Sequence, residues 1–191
     1  MTVFGFVAPN KGYEAAFEAM KRWPNDICLL IAGGARNEEM IGYETTVHAI
    51  VKSRGLESRV QFTGHLSEED IADAMAATDL AATPHTQATG SYSVMVPLSY
   101  GKAVAASDLA CFREIREQSA CIELFRAGDA SEFARVVSEI LGDSGRRAGM
   151  EQAALEFARA HSWREAARRT VEVYREGIAD EMRLRHHAAA G

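Results

Sequence analysis

Along the first two thirds of the chain, short apolar runs rich in β-formers alternate with stretches whose apolar positions recur at helical spacing. The runs Thr2–Val7, Asp26–Ala32, Arg59–Thr63, Asp79–Thr83, Ala103–Ser107 and Ala120–Phe125 predict strands. Between them, Lys11–Arg22, Asn37–Arg54, Ser67–Ala77, Ser91–Tyr100 and Ala110–Glu117 predict helices. Repeated strand–helix–strand order predicts an α/β fold, a doubly wound parallel sheet of about six strands with helices on both faces. Punctuation supports the parse: Ser67, Glu68, Glu69 and Asp70 spell a capping box, and Gly55 stands where a helix should stop. After Phe125 the pattern becomes wholly helical, over Ser131–Leu141, Arg146–Ala160 and Ser162–Arg185. Residues 1–185 are expected to form a single domain with a helical C-terminal extension, and 186–191 a frayed tail.

A chain of 191 residues, 47% hydrophobic and 25% charged, can bury one sizeable core but not two full-sized α/β domains. Its net charge of −6 gives no general attraction to nucleic acid or to an anionic membrane. No run of about eighteen apolar residues predicts a membrane span, and the start from Met1 to Phe6 lacks the features of a signal peptide. The cysteines Cys28, Cys111 and Cys121 lie among apolar residues without C-x-x-C spacing, which predicts reduced core thiols and a cytoplasmic location.

The candidate chemistry concentrates between Pro84 and Asp108, where a strand end leads through Gly90-Ser91 into a helix. Ligands of open α/β sheets bind at such loops, and the unpaired N–H groups of a helix start favour an anion. An ordinary Ser N-cap on a buried helix reads the same way. The segment Gly33-Gly34-Ala35-Arg36 is an incomplete dinucleotide fingerprint, which weakens an oxidoreductase reading. No pair of histidines has convincing metal-ligand spacing: His48 falls inside a helix, His161 precedes Ser162 in a structural position, and His186 and His187 lie in the tail. Asp108 is expected to cap the helix at Ala110, and Pro97 to kink or shorten its own helix.

Six segments then fall in one order: Gly5-Phe6-Val7-Ala8-Pro9-Asn10-Lys11-Gly12, Leu30-Ile31-Ala32-Gly33-Gly34, Arg59-Val60-Gln61-Phe62-Thr63-Gly64, Thr78 to Pro84, Gly101 to Asp108, and His161-Ser162-Trp163 before a helix reaching Tyr174. Together they resemble the carboxyl-terminal, donor-binding lobe of a GT-B glycosyltransferase, most similar to the family 4 (group 1) retaining enzymes, over roughly residues 2 to 176. The resemblance implies a Rossmann-like lobe that holds a nucleotide sugar, here substrate and not cofactor, with metal-independent chemistry. It also implies that the amino-terminal acceptor lobe is missing from this chain, which alone would be inactive, and that the last helix is exposed, mobile or engaged in a homodimer.

By the same resemblance, Lys11 contacts the donor diphosphate, although a solvated first-turn lysine has the same sequence appearance. Gly90, Ser91 and Tyr92 would add backbone amides, and Thr89, Ser91 and Ser93 hydroxyls. Gly64, His65 and Leu66 would hold the nucleobase, His65 either stacking on it or remaining an exposed loop residue. His85 would contact sugar or phosphate, or simply be a polar loop residue. The sequence departs from the family where a common arginine is Phe6, so either the phosphate grip is weaker than the family norm or a residue such as Arg113 or Lys102 supplements it, and where two glutamates are Ala88 and Val96. Catalytic residues are not assigned. The resemblance leaves two functions: donor lobe of a retaining enzyme transferring sugar from an NDP-sugar to a glycan or lipid-linked acceptor, or a non-catalytic binding and assembly module with a degenerate site.

Overall fold

The structure is a computed structural model that describes residues 1–89 and 92–189. Six strands, β1 (Thr2–Phe4), β2 (Leu29–Ala32), β3 (Val60–Phe62), β4 (Ala81–Thr83), β5 (Val104–Ser107) and β6 (Ile122–Phe125), form one wholly parallel sheet in the order β3-β2-β1-β4-β5-β6. The helices are α1 (Tyr13–Ala19), α2 (Glu38–Ser53), α3 (Glu68–Ala76), α4 (Tyr92–Ser99), α5 (Ala110–Gln118), α6 (Ala130–Gly142), α7 (Ser144–Ala160) and α8 (Trp163–Ala189).

Alternation along the strands assigns their residues to two faces. Val3, Ile31, Ala82 and Ala105 pack with Phe17 of α1, Val47 of α2 and Phe133 of α6. Their sequence neighbours turn the other way: Ala81, Val104 and Ala106 pack with Leu98, Phe112 and Ala154, while Phe4 and Ala32 pack with Met75 and Val96. The core thus lies in two layers, one on each face of the sheet.

Each strand is shorter than its apolar run. β1 stops at Phe4 because Gly5 takes φ +106°, a conformation open to glycine, and so turns the chain out of the sheet. Asp26 and Cys28 precede β2 in exposed positions, with the Cys28 carbonyl accepting a hydrogen bond from the Met1 amino group at 3.0 Å. The expectation of three core cysteines therefore holds for buried Cys121 only, since Cys111 is half-buried and Cys28 exposed.

The capping box of α3 is present, with Asp70 N–H donating to Ser67 Oγ at 3.2 Å and Ser67 N–H to Asp70 Oδ2 at 3.2 Å. α4, with Pro97 inside it, is only eight residues long. Asp108 does not cap α5. Leu109 occupies the cap position without a side-chain bond, and the Asp108 carboxylate instead accepts from Arg113 Nη1 at 2.8 Å.

Two compact units are distinguished, Met1–Phe157 and Ala158–Gly191. The second is chiefly α8, whose start is capped by Ser162 Oγ accepting from Glu165 N–H. Trp163, Val171, Tyr174 and Ile178 are exposed along it. No described helix is long and apolar enough to cross a membrane.

Candidate functional site

β1 and β4 are neighbours in space while their crossovers run to opposite sides of the sheet. A crevice opens at the carboxyl ends of such a strand pair, and the loops after β1 and β4 line it. After Gly5 the chain pairs with the β2 loop through Val7 N–H to the Gly34 carbonyl at 3.0 Å. It then makes one 3-10 turn, Pro9–Lys11, before Gly12 starts α1.

Gly12 has φ +70°, and a Cβ there would lie 1.8 Å from the Pro84 carbonyl oxygen, so the two loops touch backbone to backbone. Only glycine permits that approach. Two hydrogen bonds complete the latch: Thr86 N–H to the Asn10 carbonyl at 2.9 Å and Asn10 Nδ2 to the Gln87 carbonyl at 3.1 Å.

The latch drives the Lys11 side chain into the crevice, where the residue is 9% exposed and its Nζ donates to Ser93 Oγ at 2.9 Å. Burial lowers its pKa from the ordinary 10.5 to about 8, so it remains mostly protonated at neutral pH. A buried ammonium with one neutral hydrogen-bond partner among the described residues is an energetically incomplete arrangement, and an incoming anion completes it.

His85 stands beside it. Its Nε2 is 3.4 Å from Ser93 Oγ, and its Nδ1 is buried without a hydrogen bond of ordinary geometry among the described residues. Burial first, and the Lys11 charge second, push its pKa down to about 3, leaving a neutral imidazole. Neutral His85 thus adds no competing positive charge beside Lys11.

Lys11, His85 and Ser93 share a cavity of about 410 Å³ with Gly5, Phe6, Asn10, Gln87, Ala88, Thr89 and Tyr92. Beside it lies an apolar slot of about 180 Å³, lined by Phe4, Phe6, His65, Leu66, Ile71 and Tyr92 and by the backbone from Ala32 to Gly34. Gly5, Phe6 and Tyr92 border both chambers. The slot walls are largely aromatic: Phe4 lies 6.4 Å from Tyr92, and Phe6 meets the His65 ring edge-on at 6.1 Å. His65 is fixed by its Nε2 contact of 2.7 Å to the Ala35 carbonyl. A chamber holding a cation beside an apolar slot can accommodate an anionic group joined to a ring.

The structure therefore brings Lys11, His85, Thr89 and Tyr92 to one chamber and His65 and Leu66 to the other. Gly64, with φ +68°, turns the chain toward His65 without lining either. Gly90 and Ser91 lie outside the described residues.

Ala88 lines the larger cavity, whereas Val96 is buried against Phe4, Ala32 and Met75. The suggested supplementary cations do not reach this cavity. Arg113 is paired with Asp108 and lines a separate pocket with Phe125, Arg126 and Glu132, and Lys102 borders neither chamber. Asn10, Gln87 and the aromatic role of Phe6 were not apparent in the sequence. The Asn10–Gln87 contact spans 77 positions and has no local signal.

Residues 2–157 match the family model described as glycosyl transferases group 1. The chain is 26% identical over 171 residues to a D-inositol 3-phosphate glycosyltransferase of Xylanimonas cellulosilytica, covering 89% of this chain and 40% of that protein. It is 27% identical over 171 residues to a phosphatidyl-myo-inositol mannosyltransferase of Mycolicibacterium smegmatis, covering 87% and 42%. The chain thus spans about two fifths of these relatives. Among solved structures, Anabaena HepE in complex with UDP and glucose superposes with a TM-score of 0.75 and 25% identity, covering 82% of this chain and 42% of HepE. A sucrose-phosphate synthase from Thermosynechococcus elongatus shares the fold at TM-score 0.82 and 21% identity, covering 94% and 45%.

Proposed function

The chain belongs to the group 1 glycosyl transferases, and we propose that it is the donor-binding lobe of a two-lobe retaining enzyme transferring sugar from a nucleoside diphosphate sugar to a glycan or lipid-linked acceptor. The single observation that carries this reading is Lys11, a buried ammonium with no carboxylate partner among the described residues, at the switch point of the sheet and beside an apolar slot. Its chemistry matches a diphosphate, whose charge needs a preorganised cation as the sugar departs.

The slot walled by Phe4, Phe6, His65 and Tyr92 suits a nucleobase. The larger chamber, with Thr89, Gln87 and neutral His85, supplies hydrogen-bonding groups for a sugar. The UDP and glucose held by HepE are consistent with these assignments. Gly90 and Ser91 remain assigned to the diphosphate by resemblance, with Tyr92, and Gly64 to the turn that presents the base-contacting loop. Relatives of which this chain covers only about two fifths support placing the acceptor machinery on a second lobe, so that this chain alone would not turn over.

A second reading, a binding module with a degenerate site, draws on Ala88, an apolar side chain on the wall of the sugar chamber. Thermal shift separates the two. A nucleoside diphosphate at a hundred times its Kd raises stability by about 2.7 kcal/mol if it binds only the folded chain. Stabilisation by UDP or GDP, but not by the corresponding nucleoside at equal concentration, supports the donor lobe. No stabilisation by UDP, GDP or ADP at millimolar concentration favours the degenerate module.

A further inference from the structure

A nucleoside diphosphate carries more negative charge than the single ammonium of Lys11 offsets. Arg36, just beyond the end of β2, is placed to supply the difference. Its position is set by its neighbour: Ala35 donates its N–H to Glu44 Oε2 at 3.0 Å and accepts from His65 Nε2 at 2.7 Å. From there the exposed Arg36 side chain lies over the Phe6 ring, with its guanidinium carbon 5.7 Å from the ring centroid.

Arg113, Arg146 and Arg59 are committed elsewhere, to Asp108, to Glu123, and to the carbonyls of Pro24 and Ile27 respectively. Arg36 makes no ion pair among the described residues, and its contact is the Phe6 face. A guanidinium that lies on an aromatic ring keeps its in-plane N–H groups free, in the fork geometry that suits phosphate oxygens. Phe6 borders both chambers, so although Arg36 lines neither, its guanidinium rests on the ring that the two share.

We propose that Arg36, seated on Phe6, binds the phosphate attached to the nucleoside while Lys11 binds the terminal phosphate. This rests on the donor-lobe reading and assigns the two cations of that site to different phosphates.

The test is calorimetric titration of uridine, UMP and UDP, with the guanosine series in parallel, into the full chain and into Arg36→Gln and Lys11→Met. Loss of one charge-assisted hydrogen bond corresponds to about a tenfold or greater fall in affinity. Arg36→Gln is expected to weaken the monophosphate and diphosphate alike by that factor and to leave the nucleoside unchanged. Lys11→Met is expected to weaken the diphosphate and spare the monophosphate. Parent-like binding of both phosphates by Arg36→Gln, or equal weakening of the nucleoside, overturns the role of Arg36 and leaves the donor-lobe reading standing. A parent chain that binds neither nucleotide series overturns both.

Discussion

Replacing Lys11 by Met is expected to stabilise the unliganded chain while weakening its hold on a nucleoside diphosphate. The fall of the lysine pKa from 10.5 to about 8 corresponds to about 3 kcal/mol of disfavoured charge at neutral pH. Against this stands the hydrogen bond from Nζ to Ser93 Oγ, for which about 2 kcal/mol is typical of a charged donor. Methionine also fills much of the vacated volume with apolar atoms. The net expectation is a gain of about 1 kcal/mol at pH 7, or about 2 to 4 °C in Tm for a chain of this size.

The advantage must also depend on pH. Between the folded pKa and 10.5 the unfolded parent binds more protons than the folded parent, so parent stability rises with pH across that window. The difference between Lys11→Met and parent should therefore be fully present below about pH 8 and shrink toward pH 10. Urea unfolding of both proteins at pH 7, 8, 9 and 10 measures it, with groups common to both cancelling in the difference. A variant less stable than the parent at pH 7 by 1 kcal/mol or more, or a difference flat in pH, would refute the account of Lys11 as an incompletely partnered cation.

Gly12→Ala places a methyl 1.8 Å from the Pro84 carbonyl at φ +70°, and an expected loss of about 3 kcal/mol or more in urea unfolding reflects clash added to left-handed strain. Gly55→Ala, at φ +64° with nothing within 4 Å of the new atom, should cost only about 1 kcal/mol, and equal losses at the two sites would refute the loop contact. His85, held neutral with a pKa near 3, contributes stability present above about pH 6.5 and lost as pH falls toward 3. His85→Leu should accordingly flatten the acid limb of the stability profile, and an unchanged limb in acid titration followed by circular dichroism counts against a buried neutral imidazole. Ser67→Ala removes the capping bond to Asp70 N–H and should lower stability by about 1 kcal/mol.

The order of strands and helices was legible because each strand alternates between two apolar faces, as Val104, Ala105 and Ala106 do between separate clusters. Lys11 stood out as a candidate because the Lys-Gly step follows a strand end. Its burial was not legible, since that depends on contacts of its loop with Gln87 and Ser93 that the β1–β4 pairing makes possible. For the same reason Arg36 passed unnoticed as a partner of Phe6, and Arg113 was overvalued. A charge near a cleft loop in sequence says nothing about the Asp108 carboxylate that holds it aside. Val96 likewise faces the apolar cluster around Phe4, which the helical spacing of α4 alone did not assign to a particular neighbour.

The central claim is that the Lys11 chamber receives the diphosphate of a nucleotide sugar. The most direct measurement is a crystal structure of the chain with UDP, or with whichever nucleoside diphosphate stabilises it most. The account predicts a phosphate oxygen within hydrogen-bonding distance of Lys11 Nζ and the base between Phe6 and Leu66. A nucleotide seated elsewhere, with Lys11 still bonded only to Ser93, would contradict it.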